Sequence, residues 1–173
     1  MKLNEAQQQN LELLFGRWLA SLCLPIPLPG VTETEFTGKV LLPRVQEWVR
    51  GLGKPFLLVR GNGGLPPLPL IFDGMSFYPD IEVSAQDERY LGVEVKLLRS
   101  AADASGSLSK ALGQTCVYQA LGIRSVHLVL LDIRPGYRSG DPTFPTFLSG
   151  VSGGGVGIHW FVTSSGQLTC RKA

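Results

Sequence analysis

A mixed α/β fold, one sheet flanked by helices, is what this 173-residue sequence predicts, and three observations predict it. Residues 56–60 and 126–131 are short apolar runs, and the second is apolar enough to be a central strand covered on both faces. Two longer stretches, opening at Thr32 and near Ser105, carry apolar residues at helical spacing. Between them lie residues 77–83 and 91–98, strand-like segments separated by a polar turn over 84–89, which read as a hairpin.

Taken in order, residues 4–22 form an amphipathic helix whose stripe is Leu11, Leu14, Phe15, Trp18, Leu19 and Leu22. It is expected to pack on its own domain, with a dimer or partner surface as the alternative. Pro25, Pro27 and Pro29 make a stiff connector. Thr32 and Glu35 form a capping box that opens the next helix, with Phe36, Val40, Leu41, Val45, Trp48 and Val49 as its apolar residues. Pro43 should kink or divide that helix, and Gly51 and Gly53 should end it. A first strand at 56–60 and a loop at 61–67 follow. After the two strands, Ser105-Gly106-Ser107 starts a helix over 108–121, stopped by Gly122. His127, inside the strand 126–131, reads as a core histidine. Residues 136–156 read as a long loop, with Tyr137 and Arg138 solvated in it. Residues 158–162 and 168–172, around Ser164-Ser165-Gly166, read as a terminal hairpin able to extend the sheet edge.

Composition narrows the classes. A hydrophobic content of 44% with 17% charged residues fits one folded domain with a sizeable core. The net charge of +2 neither requires nor excludes nucleic acid. Cys23, Cys116 and Cys170 are widely spaced with no CxxC pair, which argues against structural zinc and for reduced thiols in a cytoplasmic protein. No run has the length of a membrane span or the form of a signal peptide, so no membrane association is expected. With His127 and His159 as the only histidines, chemistries built on several histidine ligands lack their ligands. Gly150 to Gly154 fits G-x-S-x-G, but in a glycine-rich loop with no acidic residue downstream. Gly51-Leu52-Gly53-Lys54 is followed by Pro55 where a phosphate-binding loop needs Ser or Thr.

The chemistry lies in the hairpin. Strand alternation points Glu94 and Lys96 to one face and Val93 and Val95 to the core. Pairing of the two strands brings Asp80 alongside Glu94. Two hard oxygen ligands suit Mg²⁺, and a neighbouring lysine can orient or deprotonate a water. Glu82 shares the face of Asp80, either beside it or exposed. The competing account is a solvated salt-bridge cluster, which contributes little. On the following helix, Lys110, Gln114 and Tyr118 recur every fourth residue and share one face.

Pro79-Asp80 followed by Glu94-Val95-Lys96 resembles the PD-(D/E)XK nuclease superfamily, and the order of the surrounding elements resembles its core. The Q-x-x-x-Y of Gln114 and Tyr118 is similar to the RecB-like branch and to the nuclease domains of type I restriction motor subunits. So is the opening helix with its proline. The likeness spans residues 32–132. It implies a restriction endonuclease-like core, αβββαβ, with a central mixed four-stranded sheet flanked by helices, plus the N-terminal helix and C-terminal β-hairpin. The division is then an accessory helix at 1–23, a nuclease core at 32–135, and a loop and hairpin at 136–173. The resemblance further implies DNA hydrolysis with Mg²⁺, replaceable by Mn²⁺. Asp80, Glu94 and the Val95 carbonyl would hold the metal, and Lys96 would act on the water. Gln114 would orient the site, and Lys110 and Tyr118 would contact nucleic acid. Glu33, with Glu35 close behind, would hold a second metal or its water. Expected partners are DNA, and a larger defence, recombination or transposition complex or a homodimer. The alternative is a non-catalytic module binding nucleic acid or a partner on the same fold.

Overall fold

The computed structural model describes residues 2–86, 88–135 and 156–171, apart from the side chains of 101–105. Its elements are α1 (Glu5–Ser21), β1 (Cys23–Pro25), α2 (Glu33–Phe36), a π-helical turn (Thr37–Leu41) and α3 (Leu42–Gly51). Strands β2 (Leu58–Gly61), β3 (Leu70–Phe72), β4 (Met75–Phe77), β5 (Ile81–Ala85) and β6 (Glu88–Leu98) follow. Then come α4 (Ala101–Ala120), β7 (Ser125–Asp132), β8 (Val156–Ser164) and β9 (Gln167–Cys170). The class is α/β. Seven strands form one mixed sheet in the order β1-β9-β8-β7-β6-β5-β2, and β3 and β4 form a separate two-stranded ribbon.

The expected four-stranded sheet is therefore too small. Strands β2, β5 and β6 are antiparallel neighbours, and α4 carries the chain over to β7, parallel to β6. The terminal hairpin extends the sheet, as expected. Its first strand pairs in parallel with β7, and its second is covered by β1. That edge strand is Cys23–Pro25, running from the end of the segment read as helix into Pro25, the first proline of the expected connector. Pro25 is tolerated there because an edge position asks less of its missing N–H.

Apolar alternation fixes the two faces. Val83, Val93, Val95, Val129 and Phe161 meet α1 and α3 on one face, with Phe15, Leu19, Leu41 and Val45. Leu98, Leu128, Leu130 and Trp160 meet Leu108 and Ala111 of α4 on the other. Leu70, Tyr118, Ile123 and Val126 form a small third cluster under the ribbon. Helix α1 packs on its own domain. Asn4 and Gln7 close a capping box at its start, and Phe15 seats its ring 5.0 Å from Trp48. Leu14, placed in the apolar stripe, is exposed together with Leu13. Among the described residues no helix is long and apolar enough to cross a membrane.

Several boundaries are set by features the periodicity does not carry. Pro43 marks a division, as expected: it is the second residue of α3, directly after the π-helical turn. At the start of that turn Thr37 Oγ1 donates back to the Glu33 carbonyl (2.8 Å). Helix α4 starts at Ala101, before the expected Ser105. The segment read as one strand over 77–83 is broken at Tyr78–Asp80, so Asp80 lies just ahead of β5. The turn read over 84–89 is tighter, since β5 runs to Ala85 and β6 begins at Glu88.

Candidate functional site

The site forms where β6 loses a neighbour. Pairing of β5 with β6 starts at Ile81 opposite Val93, so the next register position sets Asp80 opposite Glu94. Beyond it, the edge of β6 that faced β5 has no strand to satisfy its N–H groups. Two carboxylates take that role. Asp80 Oδ2 accepts from Val95 N (2.8 Å), and Glu33 Oε2 accepts from Leu97 N (3.0 Å). Strand geometry sends a residue's carbonyl to the same edge as its N–H, so the Val95 carbonyl leaves on this edge also.

Alternation then places Glu94 and Lys96 together. Lys96 Nζ lies 2.7 Å from Glu94 Oε1 and 2.9 Å from Glu33 Oε1. Tyr118, on α4, sets its hydroxyl 3.0 Å from Glu94 Oε2 and 2.8 Å from the Tyr78 carbonyl. One hydroxyl hydrogen faces two acceptors, so the phenol ties Glu94 to the segment that carries Asp80. Gln114, one turn earlier, hydrogen-bonds that phenol, and its Oε1 is buried without a partner.

Charge is out of balance here. Burial and then the Glu94 carboxylate push the Asp80 carboxyl up to about 7. Burial raises Glu94 as well, against the pull of Lys96. For Lys96, burial alone would lower the pKa, but Glu94 and Glu33 outweigh it and hold the ammonium above its usual range. Tyr118 is pushed upward by burial and by Glu94, so it stays a neutral donor. Three carboxylates thus share one ammonium; Glu94 is buried, and Asp80 and Glu33 are partly so. A proton or a cation relieves that conflict.

The expected residues separate into groups. Glu33, Asp80, Glu94, Val95 and Lys96 come together, with Gln114 and Tyr118 beside them. Glu35 does not. Its carboxylate closes the cap on Thr32 and pairs with Lys39 at 3.3 Å. Tyr118 was expected to contact nucleic acid, but it is fully buried and its hydroxyl is spent within the protein. Lys110 remains exposed on α4. Glu82 is wholly buried, with its charge facing Arg89 and Arg60. Tyr137, Arg138 and the Gly150–Gly154 motif lie outside the described residues. Sequence reasoning missed the Leu97 N–H and the Tyr78 carbonyl. Backbone groups carry no residue-type signal, and only the register reveals them.

Among the described residues, no group of three or more His, Cys, Asp and Glu side chains converges to hold a metal ion. The available donors are two carboxylates and a carbonyl, all hard oxygens. Such a set suits a cation that keeps much of its water, which is the habit of Mg²⁺. No protein-family model, curated protein or solved structure matches this chain.

Proposed function

We propose that this chain is a Mg²⁺-dependent phosphodiesterase acting on DNA, built on a restriction endonuclease-like core. The observation that carries the reading is the open edge of β6. There Asp80 and Glu33 cap successive N–H groups, and Glu94 and Lys96 stand beside them. The order of α2 with α3, then β2, β5, β6, α4 and β7 also fits the αβββαβ series of the PD-(D/E)XK superfamily. The donor set fits the metal. Burial raises both Asp80 and Glu94, and Glu94 raises Asp80 further, so the two are a pair in want of a cation.

Asp80, Glu94 and the Val95 carbonyl would hold the ion, which supplies charge stabilisation at a phosphate oxygen and lowers the pKa of a bound water. Lys96 stays cationic. It therefore serves as a donor that orients the attacking water and stabilises charge on the phosphate, not as a general base. Both Glu33 oxygens are taken, by Lys96 and by the Leu97 N–H, so Glu33 positions Lys96 and leaves little for a second ion. Tyr118 fixes Glu94. Gln114, with its free Oε1, faces the same centre.

Supercoiled, linear and single-stranded DNA incubated with Mg²⁺, Mn²⁺ or chelator tests the reading. Cleavage is expected with either metal and not with chelator. Asp80→Ala and Glu94→Ala should each lower the rate by on the order of a hundred-fold or more while the protein stays folded. Undiminished cleavage by either folded variant overturns the assignment.

A second reading, a non-catalytic binding module, is favoured by one observation. Both Glu94 oxygens are already engaged, by Lys96 and Tyr118. DNA binding unaffected by Mg²⁺, with no cleavage of any substrate, would select it.

A further inference from the structure

The ribbon of β3 and β4 stands outside the main sheet and carries an apolar tip. Asp73 and Gly74 join its strands with φ of 46° and 75°, the pattern of a tight two-residue turn whose twist suits the flanking strands. Phe72 and Met75 face each other across that turn. Ile71, Phe72 and Met75 are 67%, 58% and 51% exposed, and Tyr78 just beyond is 52% exposed. With Leu65 they make up five of the nine large exposed hydrophobic residues among those described. The base of the ribbon is the opposite. Leu70 is buried against Tyr118, Ile123 and Val126, with Phe77 packed beside them. A stiff ribbon anchored at its root and apolar at its tip has a use for the tip.

Its position says which use. The chain leaves β4 at Phe77 and reaches Asp80 three residues later. The Tyr78 carbonyl between them is held by the Tyr118 hydroxyl that also reaches Glu94. The tip is therefore fixed relative to the carboxylates. Beside Ile71 opens a cleft of about 470 Å³ lined by Lys2, Arg89 and Arg124, where Glu88 lies 3.0 Å from Lys2 and 3.9 Å from Arg124 and Glu82 faces Arg89, so that among the described residues three cations meet two carboxylates. That balance favours a phosphate backbone. A two-stranded ribbon is narrow enough for a DNA groove, and Phe, Ile and Met are side chains that insert between bases and unstack them.

We propose that this tip is a nucleobase-binding wedge, and that the chain prefers DNA with a break in base stacking, such as a flap, bulge or branch, over continuous duplex. The inference rests on the nuclease reading for the placement of the tip, but its test does not use cleavage. The full chain is titrated in chelator with three fluorescent DNAs: a continuous duplex, the same duplex bearing a flap, and a flap carrying 2-aminopurine at the junction. The wild type should bind the flap about ten-fold tighter than the duplex and change the 2-aminopurine emission. Phe72→Ala with Met75→Ala should remove that preference and that emission change, leaving duplex affinity as it was. Both side chains are exposed, so the variant should fold, and an unchanged melting temperature checks this. Equal affinity for flap and duplex in the wild type, or a preference that survives the double substitution, overturns the wedge. So does a wild-type dimer that the double substitution turns into a monomer, because the tip would then cover a second copy. Loss of cleavage with the flap preference intact would instead count against the nuclease reading alone.

Discussion

Lys96 sits between two carboxylates, and the consequence is fixed charge rather than basicity. Removing it leaves Glu94 and Glu33 without their ammonium, at 2.7 Å and 2.9 Å, and makes the site more negative. Lys96→Ala should therefore lower the cleavage rate by on the order of a hundred-fold while Mg²⁺ or Mn²⁺ binds as tightly as before or tighter. Calorimetric titration with either metal measures it. A loss of metal affinity as large as that of Asp80→Ala would contradict the role. At this scale the sequence was legible where one strand supplied the geometry. Period-two alternation puts Glu94 and Lys96 on one face without help from the rest of the chain. It could not choose between Glu33 and Glu35, since the choice depends on a helix 63 positions away from Lys96. Tyr118 was misread for a related reason. Helical spacing put it beside Gln114 but could not say that α4 turns that face inward against Glu94.

Glu33 reaches the site because its helix is broken into α2, a π-helical turn and α3. Short π-helical turns recur at functional sites, where the extra residue redirects what precedes it. Here the turn packs against the loop after β2. A Cβ added at Gly38 would lie 2.6 Å from the Asn62 carbonyl oxygen, which is backbone and cannot simply rotate away. Gly38→Ala should cost about 1–3 kcal/mol in urea unfolding at constant slope. Stability unchanged by the substitution would mean that the loop is not wedged there. The elements that escaped the sequence share one trait, a lack of local periodicity. Strand β1 is three residues long and ends in proline, and the β3–β4 ribbon follows the proline-rich Leu65-Pro66-Pro67. Long-range pairing makes the first a strand, and a hydrophobic root on α4 makes the second a ribbon.

At the scale of the whole molecule, α1 closes the sheet face opposite the site, and two histidines lie beneath it. His127 Nδ1 is 3.0 Å from His159 Nε2, and the Ser125 hydroxyl is 3.2 Å from His127 Nε2. Phe15 of α1 sets its ring 5.0 Å from His127. Gly157 makes the pairing possible, because a Cβ there would fall 2.6 Å from His127 Nδ1. One imidazole donates and the other accepts, and burial keeps both neutral. Burial holds His127 down at about 3 and His159 at about 4, with each ring's partner offering no compensating carboxylate. The unfolded chain titrates both near 6.5 and gains protons that the folded chain refuses. Folded pKa values below the unfolded ones give stability that is present above about 6.5 and is lost as pH falls toward 4 and 3. Acidification from neutral to about pH 5 should thus destabilise the protein by on the order of 4 kcal/mol through this pair, half from each ring. Urea midpoints across that range measure it. Because carboxylates elsewhere also titrate, the decisive comparison is with His127→Gln combined with His159→Gln. That variant should start from a lower stability at pH 7, having lost the fitted pair, yet show a shallower decline with acid. An equal or steeper decline would mean that the histidines take up protons in the folded state, which requires water to reach them beneath α1.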